Sequence, residues 1–287
     1  MCIRTLGAWY LMTGAVFTAL YIVAVVLASS AQSLASSAQS LAPSAQSLAS
    51  SAQSTVAWRA DLESGNLSQW GWVHEKESGR VSTVESPVRQ GRYAARFEVR
   101  SGDNNVAGSG TGERAEVLDP GGTNSDASEG REAYWAWSTY FPSDFDAPMG
   151  QWNVFTQFHH SGSTGQSNIH FDVRDLSTIG LRVMGGNANS PTRRDFTLAS
   201  LTRGKWYDFV FHVRWASDNT GFVEVWVDGN KVVDKTNTPT LYSGMFAYLK
   251  QGYYRSAHSG TTVIYHDGTR RGTSYEDVAA EFSPSVP

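Results

Sequence analysis

Lys205-Trp206-Tyr207-Asp208-Phe209-Val210-Phe211-His212-Val213-Arg214-Trp215 reads with a period of two. Tyr207, Phe209, Phe211, Val213 and Trp215 fall on one side, and Asp208, His212 and Arg214 on the other. That is the pattern of a strand buried on one face only. Downstream, Val223, Val225 and Val227 keep the period until Asp228-Gly229 breaks it ahead of Lys231-Val232-Val233, which predicts a hairpin whose turn needs positive φ. Further strands are expected at Tyr93 to Arg100, Glu113 to Leu118, Tyr134 to Phe141, Trp152 to His160, Ile169 to Arg174, Ile179 to Met184, Gly244 to Tyr254 and Thr261 to His266. Only Ser274 to Phe282, with a serine cap and a Glu-Asp pair in its first turn, reads as a short helix. Short strands separated by Gly, Asn, Asp and Ser clusters predict an all-β fold. The expected form is a two-sheet antiparallel β-sandwich of the jelly-roll, concanavalin A-like kind, with a concave sheet lining a substrate groove.

The 287 residues do not all belong to that fold. Residues 7–28 are uncharged and mostly apolar behind Arg4, so 1–28 reads as a signal peptide or signal anchor. The domain is then expected to be secreted or extracytoplasmic, with membrane anchoring if the segment is retained. From 29 to 54 the repeat Ser-Ser-Ala-Gln-Ser-Leu-Ala, interrupted by Pro43, reads as a low-complexity linker. Residues 55–287 form the expected β domain, rich enough in aromatics (10 Trp, 12 Tyr, 13 Phe) to stabilise itself as a monomer by its core. Cys2 is the only cysteine, so no intramolecular disulfide and no Cys-based metal site or nucleophile exists. A net charge of −4 argues against a nucleic-acid partner.

Three of the expected strands have faces too polar for a core. In Tyr248-Leu249-Lys250-Gln251-Gly252-Tyr253-Tyr254-Arg255, alternation puts Tyr248, Lys250, Gly252 and Tyr254 together. Gln157 and His159 share a face, as do Arg114 and Glu116. A cation, an amide, an imidazole and a phenol suit a groove for a polar, anionic ligand. Arg174, Arg182 and Arg255 could join Arg114 and Lys250 in a local basic patch. His170, with Asp172 and Arg174, could face either the groove or solvent, whereas His160 is on the opposite strand face and is expected to be structural. His159-His160 lacks the turn spacing of a helical zinc motif, so no catalytic metal is expected. Asp61, Glu63 and Asp267 could form a structural calcium site.

Arg114-Ala115-Glu116-Val117, Gln157-Phe158-His159 and Tyr248 to Tyr254 resemble the three motif strands of jelly-roll polysaccharide lyases, a resemblance that alginate lyases share. Gly204 to Phe209 and Gly221 to Gly229 are similar to segments of the heparin lyase I-like group, which includes glucuronan lyases. The resemblance runs from about Trp58 to Phe282 and implies β-elimination on a uronic-acid polymer, an anionic polysaccharide, with no cofactor required for the chemistry. It implies that Arg114 and Gln157, helped by Asn153, hold the sugar carboxylate. His159 or Tyr254 takes the C5 proton, and Tyr254 delivers one to the departing O4. Lys250, Tyr248, Asn153, Glu116, His170 and Arg255 are the implied substrate-binding residues. Leu249 and Gln251 depart from the commoner Phe and Ala of the motif, at positions that alternation turns away from the groove. Arg255, where alginate enzymes usually have Asn-Gln, favours a glucuronan-like polymer over alginate or heparin.

Two other classes compete. A non-catalytic, lectin-like carbohydrate-binding module needs the same sandwich but no acid or base. A glycoside hydrolase needs two carboxylates flanking the scissile bond, and Glu113 and Glu116 do not alternate onto one face.

Overall fold

The computed structural model describes residues 56–108, 110–119, 127–163 and 165–282. The apolar stretch 7–28 and the repeat 29–54 lie outside the described residues. In chain order the strands are β1 (Trp58–Ala60), β2 (Trp72–His74), β3 (Val81–Val84), β4 (Ala94–Val99), β5 (Glu113–Leu118), β6 (Glu132–Phe141), β7 (Asn153–His160) and β8 (Ile169–Arg174). They continue with β9 (Thr178–Asn187), β10 (Ser190–Ser200), β11 (Lys205–Arg214), β12 (Phe222–Val227), β13 (Asn230–Asn237), β14 (Ala247–Arg255) and β15 (Thr262–Gly272). A helix, α1 (Tyr275–Ala279), and one 3-10 turn follow.

The strands form two antiparallel sheets. The first runs β13-β12-β11-β6-β15-β4-β3, with β1 also on β15; the second runs β10-β9-β8-β7-β14-β5-β2. Tyr207, Phe209, Phe211 and Val213 of β11 enter the core with Trp215, where Trp137 stacks on Phe209 and meets Phe171 of the second sheet edge-on. Each large side chain buried in this way contributes about 1.5–3 kcal/mol, so the space between the sheets is where the fold is stabilised. Asp228 (φ 50) and Gly229 (φ 76) make the β12–β13 turn. Two consecutive positive φ values give the turn twist that tight hairpins need.

The expected helix shortens to α1 plus its 3-10 extension. Ser274 Oγ accepts from the Asp277 amide at 3.1 Å, and Asp277 Oδ2 accepts from the Ser274 amide at 3.0 Å, a complete capping box. Val278 seats the helix against Ala136 and Val210 on the outer face of the first sheet.

Four elements go beyond the sequence-based expectation: the short strands β1, β2 and β3, and β10, which is exposed from Ser190 to Asp195 and shows apolar alternation only at Phe196 and Leu198. The carboxylates expected for calcium have protein partners. Asp61 accepts from Gln69 Nε2 at 3.0 Å, Glu63 accepts from the Arg92 and Tyr93 amides, and Asp267 Oδ2 accepts from the Arg89 and Gln90 amides at 2.7 and 3.1 Å. Asp61 is tied within its own loop, whereas Glu63 and Asp267 both hold backbone amides of the 89–93 segment, and among the described residues no group of three His, Cys, Asp or Glu side chains could hold a metal ion.

Candidate active site

The second sheet has one face in the core and one open face. Strand register defines a row across the open face: Asp195, Arg182, His170, Gln157, Lys250, Leu118 and Trp72, one from each of β10, β9, β8, β7, β14, β5 and β2. A parallel row pairs Gly252 with Glu116 and Glu116 with His74, and a third pairs Arg114 with Tyr254. Alternation within each strand then brings Arg114, Glu116, Gln157, His159, Tyr248, Lys250 and Tyr254 to one side.

Glu116 is the hub of this group. Its Oε1 accepts from Gln157 Nε2 at 2.5 Å, while Oε2 faces Lys250 Nζ at 2.8 Å and accepts from Arg114 Nη1 at 3.1 Å. Burial would raise its pKa, but the Lys250 ammonium and the Arg114 guanidinium outweigh that and bring it down to about 2. Burial pushes the Lys250 ammonium down despite Glu116. Arg114 and Lys250 thus converge on the one carboxylate of Glu116. Arg114 Nη2 donates to the Thr111 carbonyl, and its Nε is buried without a partner.

His159 is a neutral base by construction. Burial brings its pKa to about 4. Its Nδ1 lies 3.0 Å from the His160 carbonyl oxygen, which can only accept, so the proton sits on Nδ1 and Nε2 keeps its lone pair. The Tyr248 hydroxyl stands 3.4 Å from the same Nδ1, and burial raises its own pKa. Tyr254 lies with its ring 3.8 Å from the Arg114 guanidinium and 6.0 Å from the Trp152 ring. Gly112, at φ +81, makes room for it: a Cβ there would come within 2.3 Å of the Tyr254 ring.

Two substrate-binding expectations are corrected. Asn153 and Arg255 are register partners on the core side of the sheet. Asn153 Nδ2 donates to the Pro148 and Gln151 carbonyls at 2.7 and 3.2 Å, so it fixes a loop. Its parity with Gln157 is broken by a bulge between Val154 and Thr156 that turns Phe155 into the core. Arg255 is fully buried, bound to Glu113, Thr262 and the Gly260 carbonyl at 2.5 to 3.1 Å. Glu116 keeps its place on the open face, with Oε1 engaged by Gln157 and Oε2 by Lys250 and Arg114.

The remaining predicted groups fall on the open face. His170 lies buried in the central row, 3.1 Å from Ser167 Oγ, and burial followed by Arg182 and Arg174 lowers its pKa to about 3. Leu249 enters the core and Gln251 accepts from Thr269 Oγ1 between the sheets. Sequence reasoning missed Trp72 and His74 of β2, which extend the face past Glu116. Trp72 is 57% exposed; His74 has its pKa lowered to about 4 by burial and Lys250. The available signal was their spacing of two in Trp72-Val73-His74.

A protein-family model described as polysaccharide lyase matches residues 62–270. Among solved structures, the endo-beta-1,4-glucuronan lyase from the fungus Trichoderma reesei aligns with a TM-score of 0.64 at 22% identity, over 78% of this chain and 98% of that one. The alginate lyase from Klebsiella pneumoniae aligns with a TM-score of 0.50 at 10% identity, over 70% of this chain and 86% of that one. At these identities the likeness shows a shared fold. No curated protein matches the chain.

Proposed function

The chain belongs to the polysaccharide lyase family, and from that premise we propose that its open face cleaves a uronic-acid polymer by β-elimination, with a glucuronan-like chain as preferred substrate. The observation that carries this reading is Arg114, with its Nε buried and unpartnered, on the same strand face as a neutral His159 imidazole and the Tyr254 phenol.

The C5 proton of a uronate is barely acidic, because its loss adds negative charge next to a carboxylate. Arg114 and Gln157 are suited to receive that carboxylate and to stabilise the enolate as it develops. His159 Nε2 takes the C5 proton. The electron pair forms the C4=C5 double bond, the C4–O4 bond breaks, and the Tyr254 hydroxyl protonates O4. The proton on His159 then returns to the phenolate through solvent. Lys250 and Glu116 keep Arg114 and Gln157 in place, and Tyr248 braces the imidazole. The fold shared with a glucuronan lyase supports glucuronate as the sugar.

Incubation of the protein with glucuronan, alginate, heparin and hyaluronan, followed by ultraviolet absorbance of the new conjugated double bond, tests reaction and substrate together. Glucuronan is expected to give the largest signal. New reducing ends without absorbance would mean hydrolysis, and binding without cleavage a lectin; either would end the proposal.

A further inference from the structure

At the β8–β10 end of the open face three arginines gather around Asp195. Arg182 Nε and Arg193 Nε reach it at 2.8 and 2.6 Å, and Arg174 Nη2 at 3.6 Å. Arg174 is a brace: its Nε binds Asp172 at 3.0 Å, and its Nη groups donate to the Phe196 and Leu181 carbonyls at 3.3 Å. The sheet is shaped for it, since a Cβ on Gly180 would lie 2.3 Å from the Arg174 guanidinium carbon, and Gly180 has no positive φ that would otherwise demand glycine. Arg182 and Arg193 are different. Asp195 takes only the Nε of each, and among the described residues no protein acceptor bonds their Nη1 or Nη2 groups. Each guanidinium is thus oriented on one edge and open on the other, with side chains 22% and 52% exposed.

Their position gives the cluster a meaning. Arg182 stands on the row that runs through His170 and Gln157 to Lys250. Neighbouring strands are about 4.8 Å apart, so β9 and β10 lie roughly 10 and 14 Å from Gln157. A 1,4-linked pyranose advances its chain by close to one strand spacing. Resting on the proposed uronate reading, we propose that Arg182 and Arg193 form a distal carboxylate subsite about two to three sugar units from the bond that breaks, recognising uronate groups of long chains. Cluster charge agrees: Arg174, Arg182 and Arg193 against Asp172 and Asp195 leave one positive charge. A sheet edge carries charges to prevent pairing with other strands, but that duty does not require two open guanidinium forks in register with the reacting groups.

The test compares a uronate hexasaccharide with a trisaccharide, using wild type, Arg182→Ala/Arg193→Ala and the two single variants, with melting curves to confirm folding. In the double variant the ratio of kcat/KM on hexasaccharide to that on trisaccharide is expected to fall about tenfold, mostly through KM, the scale of losing one or two charge-assisted hydrogen bonds. Arg193→Lys should recover only part, because an ammonium keeps the charge but not the fork. A hexasaccharide with its distal carboxyls reduced to alcohols should behave on wild type as the trisaccharide does. An unchanged ratio in the double variant, or full preference for the reduced hexasaccharide, overturns the subsite. Calorimetric binding of the same oligosaccharides to Tyr254→Phe separates this from the proposed reaction. Arginine-dependent, length-dependent binding without turnover in wild type would retain the subsite and remove the lyase assignment; length-independent binding, or no binding, would remove the subsite.

Discussion

Arg114 and Arg255 occupy adjacent rungs of the β5–β14 pair, each with a glutamate, and face opposite ways. Arg255 is closed: its three nitrogens meet Glu113, Thr262 and Gly260 between the sheets. Arg114 is open: it shares Glu116 with Lys250 and Gln157, stacks on Tyr254, and keeps a buried Nε without a partner. Both are almost inaccessible, at 0% and 5% exposure, so burial does not separate structural from functional arginine here. What separates them is whether the charge is fully answered by the protein. Every donor nitrogen of Arg255 is answered by the protein, whereas Arg114 keeps one buried donor unanswered.

The largest test of that contrast removes the chemistry and leaves the charges alone. Tyr254→Phe and His159→Gln should each lower kcat by about 10²–10⁴, the range for loss of a positioned acid or base, with melting temperature unchanged. Next come the arginines. Arg114→Ala should cost about 10²–10³ in kcat/KM, as for other donors aimed at developing charge. Arg255→Ala should instead cost about 3–5 kcal/mol of stability, because Glu113 would be left buried and unpaired. Replacing both, as Arg255→Met with Glu113→Leu, should restore most of that stability. Parallel kinetics and denaturant melts on the four proteins would read the split, and a stable, inactive Arg255→Ala would erase it.

Much of this was legible in the sequence, for a physical reason. Where one strand face meets the core, apolar residues must alternate, and so β11, β12, β5 and β8 stand out. The polar faces of β5, β7 and β14 were visible as violations of that rule. Asn153 was misplaced because a bulge changes strand parity without leaving a mark in composition. Arg255 adjoins Tyr254, so in a regular strand the two cannot share a face. β10 and its Arg193 and Asp195 were invisible, since Ser190 to Asp195 is exposed throughout and leaves only Phe196 and Leu198 to alternate.

Two glycines sharpen the comparison at smaller scale. Gly112 and Gly79 both have positive φ, at +81 and +91, but only Gly112 has the Tyr254 ring against it; nothing lies within 4 Å of a Cβ at Gly79. Alanine at either position should cost about 1–2 kcal/mol in backbone strain. Gly112→Ala should also displace the phenol and lower kcat roughly tenfold, as a misplaced acid does, whereas Gly79→Ala should leave kcat alone. Equal kinetics in the two variants would show that Tyr254 does not need its seat.

The finest distinction concerns two histidines that burial brings to about 4, His159 on the open face and His266 between the sheets. Protonating His159 removes the base, so kcat/KM should fall below about pH 4 with the folded protein otherwise intact. His266, held by Thr139 Oγ1 at 3.0 Å, acts on stability. Its folded pKa is below its unfolded value of 6.5, so the unfolded chain binds the extra proton between pH 6.5 and 4, and stability falls as pH drops through that window. Asp267, next in sequence, has the opposite sign. Burial raises its carboxyl from 3.8 to about 7, so its contribution is complete below pH 3.8 and is lost as pH rises towards 7. The two neighbours therefore oppose each other between pH 4 and 6.5, and in wild type their slopes largely cancel. His266→Gln should leave a protein whose melting temperature falls with rising pH across that window, and Asp267→Asn one whose melting temperature rises. Melts at half-unit pH steps would show it; identical slopes in the two variants would mean that neither group is held away from its ordinary ionisation by the space between the sheets.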